Sequence, residues 1–500
     1  MTAGSCILAL DIGSSSARGR LYDERMEALA GDEDAVGRYS WQVQRGTMQI
    51  DPAELLSVVA EVLDEAVENA RTLRRQIAAV AVTTFWHGLM GLDAAGHPLT
   101  PLYGWGDGRA GRAAVAMRGI LDEQAYHRRT GCFLQAAYPA MKLAWLSRSD
   151  SALFDSVTAW VSIGELLEQE FFGTHRCSLS IASGSGLLSS RTFGWDADIL
   201  AALELEPRKL PTLVELEPLS GLREEWGARW PSLAAIPWFP AVGDGACANI
   251  GSGAIGASRP ALTVGTSAAI RVLRPVPNSQ EDPPAELWEY LVDRSYRVAG
   301  GALSNGGNAI AFLLQRFPSL SHAELDRVLR EGEPDAHGLT VLPSLAAERG
   351  ADWGGDHGAT VDGLRLDTTP LDIAEAWLES ITHRIAAVFQ RIEGRFGPAS
   401  DVWASGGAVH LVPGWLRTFA DAFDTPVHLA ADPEATSRGV AILAARELGW
   451  IASIETAPSI EGVAFSPEPD RHRVHQAAGA REALLSSLLA TTRTRLQDNA

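Results

Sequence analysis

Residues 8–21 read LALDIGSSSARGRL, and residues 261–273 read ALTVGTSAAIRVL. In each, an apolar run breaks at a glycine followed by small hydroxyl residues, and an apolar run then resumes. Strand, small polar loop, strand is a β-hairpin, not the strand–loop–helix of a dinucleotide-binding unit. The two hairpins lie half a chain apart, which predicts a duplicated domain rather than a solenoid of short repeats. Chance likeness of two short hairpins is the plainer alternative.

The segments around these hairpins alternate helix and strand. Residues 52–77 carry helical apolar spacing at Leu55, Val58, Val59, Val62, Leu63 and Ala66, and Ile77 to Val82 follows as a buried-strand run. From 402 to 446 the reading is a strand at Val402 and Trp403, Gly406-Gly407, a helix near Trp415 to Phe423, a strand at Pro426 to Leu429, and a small-residue helix from Ser437 to Glu447. This is an α/β pattern. Residues 460–478, rich in Pro and charge, read as irregular. Residues 479–496 read as a closing amphipathic helix with Leu484, Leu485, Leu488 and Leu489 on its apolar face. The expected division is residues 1–250, residues 251–460, and a tail with its closing helix at 461–500.

Five hundred residues, at roughly 150 per domain, fit this reading of two large domains or three smaller ones. With 46% hydrophobic residues the chain has ample core-forming material, so a mainly disordered or disulfide-stapled protein is excluded. The net charge of −20 repels phosphate backbones and anionic lipid, which argues against nucleic acid or membrane as the main partner. Cys6, Cys132, Cys177 and Cys247 lie far apart without ligand spacing and read as buried thiols in a reducing compartment. No secretory leader and no apolar run of membrane-spanning length is legible, so the expected location is the cytoplasm.

Several residues could carry chemistry. The loops at Gly13-Ser14-Ser15 and Gly265-Thr266-Ser267 offer backbone and hydroxyl donors to phosphate, although either alone is ordinary turn chemistry. Asp11 ends the first strand, where a carboxylate can hold Mg²⁺ through water; a turn-initiating Asp is the alternative. Ala241-Val-Gly-Asp244-Gly-Ala-Cys-Ala sets one carboxylate between two glycines, accessible as a general base must be, or else serving as a helix N-cap. No Walker A pattern, HRD or DFG set, HExxH or GxSxG is present.

Taken in order, Asp11-Ile-Gly-Ser-Ser, Phe85-Trp-His87-Gly, Trp105-Gly-Asp107-Gly-Arg109, Pro139-Ala-Met-Lys142-Leu-Ala-Trp145-Leu, Gly243-Asp244-Gly, Gly265-Thr-Ser267 and Ser405-Gly406-Gly407-Ala form a specific series. Along essentially the whole chain it resembles the FGGY carbohydrate kinases of the actin-like ATPase superfamily. The segments FWHGLMGLDAAGHPLTPLYGWGDGRA and LTVLPSLAAERGADW look most like the gluconokinase branch. The resemblance implies two ribonuclease-H-like α/β domains with a cleft between them, ATP mostly against the second and sugar against the first. It implies Asp244 as the catalytic base, Asp11 as the carboxylate near Mg²⁺, and the two loops as phosphate loops. Gly406 and Gly407 match the adenosine-binding turn, and Asn305 begins a helix near the nucleotide. Trp86 and His87 match the pair facing the polyol, with Trp105 and Asp107 in the neighbouring substrate loop. A homodimer is an option the family often takes.

The implied reaction is ATP- and Mg²⁺-dependent phosphorylation of a small sugar or sugar acid, D-gluconate to 6-phosphogluconate first. Xylulose, another pentulose or a polyol is the alternative, and a non-catalytic actin-like regulator is the rival of another class. Two departures stand out: Phe133 and the Ala136-Ala137 pair in the loop 131–138, and the segment Gly407 to Pro413 without a Ser or Asn after the double glycine. Glu348-Arg349 read as nucleotide or substrate contacts, or as an interdomain ion pair. Trp160, Trp195 and Trp353 read mostly as core, and Arg471-His-Arg-Val-His475 as a solvated cluster without metal spacing.

Overall fold

The computed structural model describes residues 4–29, 34–44, 46–276, 281–345 and 358–498; Glu348, Arg349 and Trp353 lie outside them. Two compact units emerge, and neither is one continuous segment. The first comprises residues 1–255, 273–299 and 434–459; the second comprises 256–272, 300–433 and 460–500.

In the first unit, β1 (Ser5–Ile12) turns at Gly13, whose N–H donates to the Ser16 carbonyl at 3.0 Å, into the antiparallel β2 (Ser16–Tyr22). Strand β3 (Ala35–Arg38) adds antiparallel to β2. Helix α1 (Pro52–Thr72) starts at Pro52, and the Asp51 carboxylate accepts from Ala53 N–H at 2.9 Å, so its first turn is pre-set and capped. After it come β4 (Gln76–Thr84), parallel to β1, and later β5 (Trp238–Gly243), parallel to β4. Helix α2 (Asp244–Gly251) follows β5 directly. The sheet order is β5-β4-β1-β2-β3. Strand β1 is buried on both faces from Cys6 onward, as its unbroken apolar run required.

The second sheet is built from β6 (Gly256–Val264), β7 (Ala268–Pro275), β8 (Trp288–Leu291), β9 (Tyr296–Leu303), β10 (Val402–Ser405), β11 (Val427–Ala430) and β12 (Gly462–Phe465). Its order is β8-β9-β7-β6-β10-β11-β12. Set β8 and β12 aside, and the middle five strands repeat the first sheet's order of third, second, first, fourth, fifth. The first, fourth and fifth are parallel in both sheets. The likeness of the two hairpins is therefore a duplication of topology, not chance. Helices α3 (Gly307–Arg316), α4 (Pro370–Phe396) and α5 (Gly407–Leu411) belong to the second unit. Helix α6 (Ala435–Glu447) returns to the first, where Gly251 and Gly439 let it cross close to α2.

The end of the chain differs from expectation. Helix α7 spans Pro469–Asp498, so residues 469–478 are helical rather than irregular. Its buried positions in this stretch and just beyond are Arg471, His475, Ala478 and Glu482. They fall at helical spacing, but three of the four are polar, so hydrophobic periodicity could not reveal them. All four cysteines are free and buried, and burial pushes every one of their thiols up, which makes them inert. Among the described residues no helix is long and apolar enough to cross a membrane.

Candidate active site

The first unit places two acidic side chains where its parallel strands end. Asp11, on β1, is 8% exposed, and its Oδ1 is buried without a hydrogen-bond partner. Burial, joined by the charges of Asp244 and Glu434, pushes its carboxyl up to about 7, and Arg18 offsets this only in part. Arg18 is itself paired with Glu434. Asp244 opens α2, with Gly243 as the N-cap residue, so the N-cap reading of Asp244 is corrected. Its Oδ1 accepts from Gly245 N–H at 2.7 Å. Asp244 is half-buried while every other residue from Trp238 to Gly251 is buried, so the chain opens to solvent at this carboxylate.

Behind Asp244 stands Trp86. A Cβ on Gly243 would lie 1.9 Å from the indole, so only glycine lets the turn into α2 rest on the ring. The indole N–H donates to the Ser180 carbonyl at 3.0 Å, and the Ser180 hydroxyl accepts from Gly243 N–H at 3.1 Å. Trp86 is thus a buried support for the Asp244 turn. His87, next in sequence, is half-buried and held in the left-handed region at φ 72°, an uncommon backbone state for a non-glycine residue. Its Nδ1 is 2.6 Å from the Gly184 carbonyl, and its ring meets Tyr138 and Tyr290 edge-on at 4.9 and 5.8 Å. Lys142, fully buried, donates to the His87 and Ala137 carbonyls, each at 2.7 Å. That anchor holds the strained backbone from below.

The Trp105 loop is tied to the same segment, because Leu89 and Tyr103 exchange both backbone hydrogen bonds. Trp105 is half-buried. Asp107 is 2% exposed, and its carboxylate accepts from Met48 N–H at 3.1 Å, Arg109 N–H at 3.1 Å and the Arg109 guanidinium at 2.6 Å. Its lone pairs are therefore spent on fixing the loop. Phe133 stacks on His127 at 4.5 Å and is core, which accounts for the apolar character of its loop.

In the second unit three glycine-bearing segments converge. Gly265 N–H donates to the Ser267 carbonyl at 3.0 Å, closing the β6–β7 turn. Gly307 and Asn308 N–H groups donate to the Gly265 and Thr266 carbonyls at 2.7 and 3.1 Å. Gly406 sits at φ 106°, and a Cβ there would lie 2.5 Å from the Val264 carbonyl oxygen. Thr266 and Gly407 are exposed, and α3 and α5 both begin at these glycines. The result is an exposed, side-chain-poor backbone surface with two helix N-termini, suited to phosphate and a closely laid nucleoside. Asn305 is fully buried, and its Oδ1 accepts from Leu345 N–H at 3.1 Å, so it braces this surface.

Sequence reading passed over the supports. The Tyr39 hydroxyl donates to the Gly13 carbonyl, and Trp41 Nε1 donates to the Ser14 carbonyl at 2.6 Å, so two aromatics clamp the first loop. Tyr138 and Tyr290 join through their hydroxyls at 2.8 Å, and Tyr290 stacks on Trp288 at 4.5 Å. Only Lys142 carried a signal: a lone cation in the apolar run Pro139 to Leu146.

Comparison with known proteins agrees. Residues 6–251 match the model of the N-terminal domain, and residues 261–448 that of the C-terminal domain, of the FGGY family of carbohydrate kinases. The gluconokinase of Bacillus subtilis (strain 168) is 23% identical over 478 residues, covering 93% of this chain and 92% of that protein. A ligand-bound xylulose kinase from Lactobacillus acidophilus superposes with a TM-score of 0.88 at 22% identity, over 98% of this chain and 100% of the other. A gluconate kinase from the same species gives 0.86 at 22% identity, over 99% and 100%. The ribonuclease-H-like two-domain fold implied by the motif series is the fold observed.

Proposed function

The chain belongs to the FGGY family of carbohydrate kinases, and from that premise we propose that it transfers the γ-phosphoryl group of ATP to D-gluconate, giving 6-phosphogluconate. The observation that carries the transfer chemistry is the Asp11–Asp244 pair: one half-buried carboxylate opened to substrate beside one buried carboxyl with an unpartnered oxygen. The choice of gluconate is supported by the likeness to gluconokinase along the whole chain.

Asp244 accepts the proton of the attacking hydroxyl as the new P–O bond forms. Gly243, seated on Trp86, fixes the direction of that carboxylate, and fixed orientation is what selects one hydroxyl among several of similar reactivity. His87 presents its ring beside Tyr138 and Tyr290 as a polyol contact, with Trp105 on the adjoining loop. Asp107 acts one step back, by fixing that loop. The Gly265-Thr266-Ser267 and Gly13-Ser14-Ser15 turns supply donors to phosphate oxygens, and Gly406-Gly407 takes the nucleoside. The orphaned Oδ1 of Asp11, with the nearby Asp244 and Glu434 charges, fits a divalent cation such as Mg²⁺. When bound, such an ion neutralises charge on the phosphate groups.

The second reading, xylulose or a related pentulose, is favoured by the fit to the xylulose kinase structure. Coupled ADP release with Mg·ATP against gluconate, xylulose, ribulose, erythronate, arabitol and glycerol, beside Asp244→Ala, tests both. Gluconate is expected to show the highest kcat/KM, with the variant inactive. Highest turnover of xylulose would replace gluconate, and no stimulation by any sugar would overturn the kinase reading.

A further inference from the structure

In the second unit, α4 and α7 meet through polar side chains rather than apolar ones. Glu379 and His383 lie one turn apart on α4 and share a face. His475, expected from the sequence to be solvated, is 2% exposed on α7. One carboxylate oxygen of Glu379 and one ring nitrogen from each histidine lie within 4.8 Å of one another, and all three residues are buried.

His383 and Glu379 are oriented from outside the trio. His383 Nδ1 is 2.8 Å from Glu482 Oε1, so that carboxylate orients the ring and turns Nε2 toward His475. That Nε2 faces His475 Nδ1 at 3.0 Å. Glu379 is held in turn, with His337 Nε2 at 3.1 Å from its Oε2 and Asp335 N–H donating to it at 3.2 Å. One ring can donate to the other across 3.0 Å, and His475 Nε2 is buried without a hydrogen-bond partner in the protein. A cavity of about 380 Å³ lined by His383, His475, Gly479 and Glu482 adjoins the trio.

We propose that Glu379, His383 and His475 bind a divalent transition metal of the zinc class, with a remaining coordination position open to the adjoining cavity, and that the ion ties α7 to α4. Two imidazoles and one carboxylate form a donor set that suits this class better than Mg²⁺, which prefers oxygen ligands. The Glu482–His383 pair is the outer carboxylate that such sites use to orient a ligand. The site is separate from the Asp11 carboxylate, which belongs to the first unit.

The test is metal uptake by the full chain after chelator stripping. With Zn²⁺, one equivalent per chain is expected, retained in Asp11→Asn, lost in His475→Gln, and weakened about 10–100-fold in Glu482→Gln. With Co²⁺, wild type is expected to show visible d–d bands and two hyperfine-shifted exchangeable imidazole protons, a readout needing no variant. Uptake should also raise Tm in wild type and not in His475→Gln. No uptake by wild type, or undiminished uptake by folded His475→Gln, would overturn the site. If His475→Gln does not fold, the Co²⁺ spectrum and Glu482→Gln decide: absence of shifted imidazole protons, or unchanged affinity, overturns it.

Discussion

At the first hairpin turn, Gly13-Ser14-Ser15, the preceding strand carries the buried carboxylate of Asp11. At the second, Gly265-Thr266-Ser267, the matching position two residues before the glycine is Thr263, whose hydroxyl accepts from the Arg271 guanidinium at 2.6 Å. Five strands follow the same order in the two sheets, yet one copy leaves a buried acidic oxygen without a partner and the other satisfies a neutral hydroxyl. The supports differ as well. Aromatic side chains clamp the first loop, whereas glycines at 306, 307 and 406 press backbone against the second. Duplication preserved a way of presenting a turn, and the charge built around each turn decides what it can hold. An unsatisfied carboxylate calls for a cation or a proton; a neutral, glycine-lined surface calls for an anion.

The comparison breaks most readily at the acidic end. Asp244→Asn is expected to lower kcat by about 10²–10⁴-fold with little change in either KM, measured by coupled ADP release. A change confined to KM would make Asp244 a binding group instead. Next, Asp11→Asn should lower kcat by about 100-fold, because a held cation is worth several kcal/mol, and should raise the Mg²⁺ concentration for half-activity. Asp11 also yields a pH prediction. Its carboxyl in the folded chain lies at about 7, above the ordinary 3.8, so the stability its protonated form contributes is full below pH ~4. It is lost as pH rises toward 7. Metal-free wild type should therefore lose Tm relative to Asp11→Asn across that window in a thermal-shift series, and Mg²⁺ should narrow the gap near neutral pH.

On the neutral side the effects are smaller. Gly406→Ala places a Cβ at a positive φ and against the Val264 carbonyl, which should cost about 1–3 kcal/mol in denaturant unfolding. It should raise the KM for ATP and leave the sugar KM alone. Thr263→Val removes one acceptor and should cost about 1 kcal/mol, with Mg²⁺ dependence unchanged. If Thr263→Val shifted the Mg²⁺ requirement as Asp11→Asn does, the two loops would not differ in the charge they hold.

Hydrophobic alternation, the two glycine-hydroxyl turns and the isolated acidic residues Asp11 and Asp244 were legible in the chain, because strand period and turn chemistry are local properties. They determined the duplicated α/β architecture and the family to which the chain belongs. Distance-dependent facts were not legible. That Trp86 supports Gly243, that Lys142 holds the His87 carbonyl, that Asp107 is spent on Arg109, and that Asn305 braces a loop all depend on side chains brought together from remote or differently oriented segments. The polar stripe Arg471, His475 and Glu482 shows the limit most clearly. A helix that buries charged and imidazole groups carries no hydrophobic period, so only the packing of α7 against α4 could reveal that His475 is enclosed and faces His383. Local chemistry chose the residues; tertiary packing decided which of them are exposed to act and which are buried to hold the others in place.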